Sequence, residues 1–427
     1  TDLAVEAVTD RIMTLTDYIA AAPEIILLGL ICVVMIADLF VDDEDRKTTF
    51  WLTMASLAVV AITLSMTAPG EPVVAFYGAY VSDAFSQILK LATVLLVAVS
   101  FLYARDYLIT NGLHKGEYYL LGLFGLLGMM IMMSAHSLLT MYLGLETLAL
   151  SMYALVAIDR NNVTSAESAM KYFVLGAIAS GALLYGISWV YGVTGSLQFG
   201  EIAAAVSADP SLNNLPLWFG LAFLVVGIAF KFGAVPFHMW LPDVYQGART
   251  PVTLYLASAP KLAALALLMR ILVDGLGGLH ETWSTMLMFV AVLSILVGNF
   301  VAIAQTNIKR MLGYSTIAHV GFILLAVYTG TGDGYASALF YALTYVVAAA
   351  GAFGIIIIMS RRGYAAELLT DFKGLNQRSP WFALMMLFLM FSMAGVPPFV
   401  GFLSKLYVIS AVLDIGGTGL AVLIVLA

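Results

Sequence analysis

The sequence predicts an all-α protein that crosses a membrane many times. Three observations carry this. Of 427 residues, 62% are hydrophobic and 11% charged, whereas a soluble domain carries about a quarter charged residues. Apolar runs repeatedly reach the ~20 residues that a helix rising 1.5 Å per residue needs to cross hydrocarbon. Basic residues cluster in every second connection. The runs are rich in Leu, Ala and Met and lack the two-residue alternation of an outer-membrane barrel, so they are helices.

In order, spans are expected near 22–41, 50–68, 84–104, 117–135, 137–158, 166–191, 215–234, 252–273, 282–304, 309–330, 334–359 and 381–413. A thirteenth begins near 417 and has only 11 residues before Ala427, so the chain is expected to continue further. The acidic N-terminal stretch has no basic region ahead of a short apolar core and does not read as a signal peptide; it is expected to be trimmed.

Loops after odd-numbered spans hold Arg46, Lys47, Arg105, Lys115, Arg160, Arg249, Lys309, Arg310, Arg361, Arg362, Lys373 and Arg378. Arg270 and Arg11 are on the other side, a ratio of 12 to 2. The odd loops are therefore expected to face the cytoplasm, with the N-terminus outside.

The net charge of −7 is spread over many loops and offers no basic face for a nucleic acid. A single cysteine, Cys32, excludes a disulfide framework, a cysteine-ligated zinc and an iron–sulfur cluster in this chain. It is expected to be a buried structural thiol. Haem would need paired histidines on facing helices, but His114 and His280 fall in loops and His136 and His238 near span ends. No metal site is expected.

Charges inside the spans are the informative residues. Each costs about 2.5–3.5 kcal/mol at a helix centre, and such residues face the bundle interior and mark ion pathways. Lys90, near the outer end of span three, is expected to snorkel to the interface. For Lys171, about a turn and a half inside span six, snorkelling and function stand equally. Glu146, Lys231, Lys261 and Lys405 are too deep to escape. His319 is mid-span, and an imidazole that titrates near neutral pH suits a relay between them, although a lone membrane histidine is often only hydrogen-bonded to its neighbour.

Prolines accompany three of the lysines: FKFGAVPF around Lys231, APKLAA around Lys261 and AGVPPFVGFLSKLYV ahead of Lys405. Proline breaks or kinks the helix, and irregular backbone at this depth is tolerated only against protein or a water-filled cavity. The segments also echo one another. Glu146 and His319 are 173 residues apart, Lys231 and Lys405 are 174 apart, and Pro236 and Pro397 are 161 apart. The two lysines thus lie on different sides of their breaks. Two five-helix units of opposite topology are expected, an inverted repeat of the transporter kind. The division would be 1–116 (spans one to three), 117–273 (first repeat) and 281–427 (second repeat).

With LGLETLALSMYAL, SAMKYF, FKFGAVPFHMWLPDVYQGARTPVT, SAPKLAAL, QTNIKRMLGYSTIAHVGF and MAGVPPFVGFLSKLYV in view, the chain resembles the antiporter-like membrane subunits of respiratory complex I, its N-type members above all. That family is related to subunits of multisubunit cation/proton antiporters. The resemblance implies about fourteen helices, two inverted repeats and proton translocation in a bacterial inner membrane.

It also implies that Glu146 pairs with and tunes Lys231, that Lys261 connects the halves, that His319 is the central relay and Lys405 the terminal lysine. Lys171, opening span six, would have a weaker role. Arg249 departs from the family's usual proline in a cytoplasmic loop, where it would alter rigidity or a neighbour contact rather than block a channel. No cofactor is implied in this chain. Flavin (FMN), iron–sulfur clusters and quinone would belong to other subunits of the complex, with neighbouring membrane subunits and the lipid bilayer as partners. Rival readings are an independent sodium (cation)/proton antiporter subunit and a structural spacer in which the lysines are replaceable by Met.

Overall fold

A single segment in hydrocarbon must close its backbone hydrogen bonds within itself, and the apolar runs do so as helices. The computed structural model describes residues 13–41, 46–360 and 364–426; Arg11, Arg361 and Arg362 lie outside the described residues.

The chain opens with α1 (Leu15–Ala20), α2 (Ala22–Asp38) and α3 (Lys47–Met66). An antiparallel hairpin, β1 (Val73–Ala75) and β2 (Tyr80–Ser82), pairs Val73 with Ser82 and leads into α4 (Ala84–Thr110). There follow α5 (Gly116–Ser134), α6 (Leu138–Val156), α7 (Val163–Thr194), the short α8 (Phe199–Ala208), α9 (Leu215–Phe232), α10 (Trp240–Gly247), α11 (Thr250–Ala257) and α12 (Ala259–Leu268), which ends in a π-helical turn, Met269–Gly275. The remainder is α13 (His280–Ile303), α14 (Ile308–Tyr328), α15 (Gly332–Met359), α16 (Leu375–Arg378), α17 (Pro380–Ala394), α18 (Val400–Asp414) and α19 (Thr418–Leu426).

Helix starts are set by polar residues just ahead of the apolar runs. Asp83, Ser137, Asn162, Asn214, Asn307 and Thr331 each accept from a backbone N–H in the first turn, satisfying donors that a helix leaves unpaired.

Ten helices among the described residues are long and apolar enough to cross a membrane, against twelve complete spans expected. The difference has two sources. The first run folds as the 17-residue α2, and the last divides at Gly395–Phe399 into α17 and α18, of 15 residues each.

Cys32 corrects an expectation: it is exposed. The buried face of α2 is Leu27, Ile31 and Val34, and one step along a helix turns Cys32 about 100° away from it.

The two ends of the bundle differ. At one, the hairpin lies across the helix ends, with Tyr80 bridged to Ala135 and the His136 N–H donating to the Ala79 carbonyl at 3.0 Å. At the other, charged side chains join the connections. Arg249 Nε donates to Asp159 at 2.7 Å, which anchors this residue within the chain's own loops. Lys309, fully buried, pairs with Glu367 at 2.8 Å and donates to the Ala248 carbonyl.

Candidate functional site

At Pro236 and at the Pro397–Pro398 doublet a helix stops and restarts, as proline chemistry requires. Helix α9 ends at Phe232 with Gly233 at φ +77°, and the Ala234 N–H returns to the Ala229 carbonyl at 2.8 Å. Only glycine suits that position, since a Cβ there would also meet the Leu241 side chain at 2.3 Å. The same events recur 162 residues later. Helix α17 ends at Ala394, Gly395 takes φ +83°, and the Val396 N–H returns to the Phe391 carbonyl at 3.0 Å. In register, Pro236 therefore matches Pro398, not Pro397. Lys405 matches Asp243, and Lys231 matches Met393, so the two lysines stand on opposite sides of their breaks, as expected.

A stopped helix leaves carbonyls without partners and a negative dipole end. Lysine fills that end at both breaks. Lys261, 2% exposed, donates to the Phe232 carbonyl at 2.8 Å with its ammonium over the Trp240 ring at 5.7 Å. Lys405 donates to the Ala394 carbonyl at 3.0 Å and lies 5.2 Å from the centre of the Phe322 ring. The first break is steadied by neighbours that sequence alone did not single out. Trp240 donates to the Phe230 carbonyl and stacks on Tyr172, and Ser294 of α13 accepts from the Val235 N–H at 2.9 Å.

Lys231 occupies the last turn of α9. It lines a cavity of about 30 Å³ together with Lys261, Tyr172 and Trp240. That volume admits a water molecule, so the two amines share one chamber. Among the described residues, no hydrogen bond or ion pair is recorded for Lys231, and Glu146 is the opposite charge acting on it. The expected Glu146–Lys231 pair is thus open here. One oxygen of the half-buried Glu146, Oε1, is buried without a hydrogen-bond partner.

His319, 7% exposed on α14, exchanges a hydrogen bond with the Tyr341 hydroxyl at 2.8 Å and packs on the Tyr345 ring. A cavity of about 20 Å³ beside it is lined by Tyr341, Thr344, Tyr345, Ser392 and Ser404. A larger cleft, about 810 Å³, has both His319 and Lys405 on its wall. His319 and Lys405 thus border one space.

Lys171 lies apart from these groups, at the charged end of the bundle. It pairs with Glu167 at 2.9 Å and with Asp243 at 3.0 Å. Asp243 in turn binds Arg310 at 2.7 Å, so one carboxylate on the restarted helix α10 ties α7 to α14. Lys90 corrects its expectation. It does not reach the interface but is fully buried in an ion pair with Glu24 at 2.6 Å.

A multi-span helical bundle, with two helices broken in matching geometry and a lysine on each freed carbonyl, fits the antiporter-like class of membrane subunit. Comparisons agree. The family described as NADH:quinone oxidoreductase/Mrp antiporter, TM matches residues 135–427, and that described as NAD(P)H-quinone oxidoreductase subunit 2 N-terminal matches 12–102. NADH-quinone oxidoreductase subunit N of Thioalkalivibrio sulfidiphilus is 55% identical over 96% of this chain and 85% of its own length. That of Alkalilimnicola ehrlichii is 56% identical over 95% and 83%. A chain in the structure of respiratory complex I from Thermus thermophilus with bound aureothin superposes with a TM-score of 0.80 at 34% identity, covering 95% of this chain and 86% of that one. The chain belongs to the NADH-quinone oxidoreductase subunit N family.

Proposed function

We propose that this chain is a proton-translocating membrane subunit of an NADH–quinone oxidoreductase, without redox centres of its own. The observation that carries the reading is the pair of lysine amines seated on the freed carbonyls of the two broken helices. An amine donates to a carbonyl whether charged or neutral, so each lysine keeps its place through a protonation cycle.

In this reading, Glu146 favours the charged form of Lys231 when close and releases it when apart. The proton then passes through the shared chamber to Lys261, on to His319, and out from Lys405. Lys171 and Asp243 stand at the entrance. Quinone reduction elsewhere in the complex, where FMN and iron–sulfur clusters belong, supplies the drive through neighbouring membrane subunits. The chain would be organised as spans one to three (1–116) followed by two inverted five-helix repeats (117–273 and 281–427), in a whole of about fourteen helices.

The independent cation/proton antiporter is the weaker reading. Relatives at 55–56% identity carry the complex I subunit name, whereas the likeness to an Mrp complex from Dietzia, at 24% identity and TM-score 0.84, speaks to fold alone. Purification through a tag on this chain is the direct test. The expected result is co-purification with flavin and iron–sulfur subunits and NADH-driven acidification of reconstituted vesicles. Recovery of sodium/proton exchange without those subunits would overturn the reading.

The location proposed is a bacterial inner membrane with the N-terminus outside, on the 12-to-2 basic asymmetry. A cysteine at Asp371 should be labelled only from the cytoplasmic side, and one at Ser207 only from the outside. Labelling of both from one side rejects this orientation.

A further inference from the structure

The helix that carries Lys261 ends at the hairpin end in a π-helical turn, a rare feature that re-aims side chains. The turn places Arg270 inward, 5% exposed. Its guanidinium donates to both oxygens of Asp83 at 2.8 Å, to Asp274 at 2.9 Å and to the Met133 carbonyl. Asp83 caps α4 and Met133 lies at the end of α5, so one side chain ties three helix ends. Close by, the buried Lys90–Glu24 pair is completed by Tyr80, which accepts from Lys90 at 2.9 Å and donates to Glu24 at 2.9 Å.

The wetter member of each pair is the acid. Arg270 has 7% of its side chain exposed, against 17% for Asp83 and 39% for Asp274; Lys90 has none exposed, against 8% for Glu24. Arg270 and Lys90 are thus the more deeply buried members. Between Lys261 and Arg270 lie about 13 Å of helix whose residues Leu262–Leu268 are all apolar and buried. The opposite end is wet, with Lys171 46% and Asp243 30% exposed.

We propose that Arg270, backed by Lys90, is a fixed charge barrier that closes the Lys231–Lys261 chamber at the hairpin end. Protons would then enter and leave that chamber only from the Asp243 end or sideways toward His319. Arginine suits the task because it does not deprotonate in proteins, so it cannot hand a proton on. A buried cation also excludes protons from pores of other membrane proteins. The barrier rests on the proton-carrying reading above.

The test is passive proton flux, without NADH, into vesicles holding the intact complex under a potassium–valinomycin potential. Asp83→Asn with Arg270→Gln removes both charges and leaves neither buried alone. This variant should leak on the order of tenfold faster than the native complex, with NADH oxidation retained. Adding Lys261→Met should restore tightness.

A native-like leak rate in the assembled double variant overturns the proposal, as does a leak that persists with Lys261→Met. Failure of the underlying proton reading shows separately, as full NADH-driven pumping by a Lys231→Ala complex.

Discussion

Replacing Lys231 by Ala abolishes most NADH-driven proton pumping, by on the order of tenfold or more, while the complex stays assembled. The size follows from what a positioned proton-transfer group contributes, about 10²–10⁴ in rate. Preserved assembly follows from the geometry. Among the described residues, no hydrogen bond or ion pair is recorded for Lys231, so its removal breaks no direct contact.

Lys261 is a poorer probe for that reason. Its removal strands the Phe232 carbonyl, at a cost of about 1–3 kcal/mol, and mixes stability with mechanism. Lys231→Arg separates charge from proton exchange, because it keeps the positive charge but cannot release a proton. It should pump as poorly as the Ala variant. Pumping at the native rate by the Arg variant, measured as acidification per NADH oxidised, removes Lys231 deprotonation from the cycle.

The residues on which these experiments act were legible in the sequence because insertion into hydrocarbon penalises them. A lysine or glutamate in mid-span has no local reason to be there, and a proline marks the break beside it. Partners were not legible where they depend on packing between distant segments. Glu24 and Lys90 are 66 residues apart in the chain, and only the tertiary fold, with Tyr80 of the hairpin bonded to both, brings them to 2.6 Å. Depth along a single helix suggested snorkelling for Lys90, since nothing in one helix reveals a carboxylate on another.

The register of the second break was obscured by the Pro397–Pro398 doublet. It was settled by the positive φ of Gly395, which fixes where α17 stops. Asp243 was not singled out, and Arg310 was read only as a loop charge, for a different reason. Both lie where charged residues are ordinary, and their joint binding of α10 to α14 is tertiary.

The open geometry of Glu146 and Lys231 makes their coupling measurable. If the carboxylate acts by stabilising the ammonium from a distance, its effect needs the lysine to act upon. Glu146→Gln alone should impair pumping, because the lysine loses the opposite charge that acts on it among the described residues. Glu146→Asp should retain part of the rate, since the shortened acid keeps the charge.

The double variant Glu146→Gln/Lys231→Ala should pump no worse than Lys231→Ala. Residues acting as one unit typically depart from additivity by about 0.5–3 kcal/mol, so a coupling of ~1 kcal/mol or more is expected. Rates are compared as acidification per NADH oxidised in equally assembled complexes. If the free-energy losses of the single variants simply add, Glu146 acts without Lys231. Its partnerless Oε1 oxygen would then serve another contact, and the opening and closing of the pair would not be the switch that moves the proton.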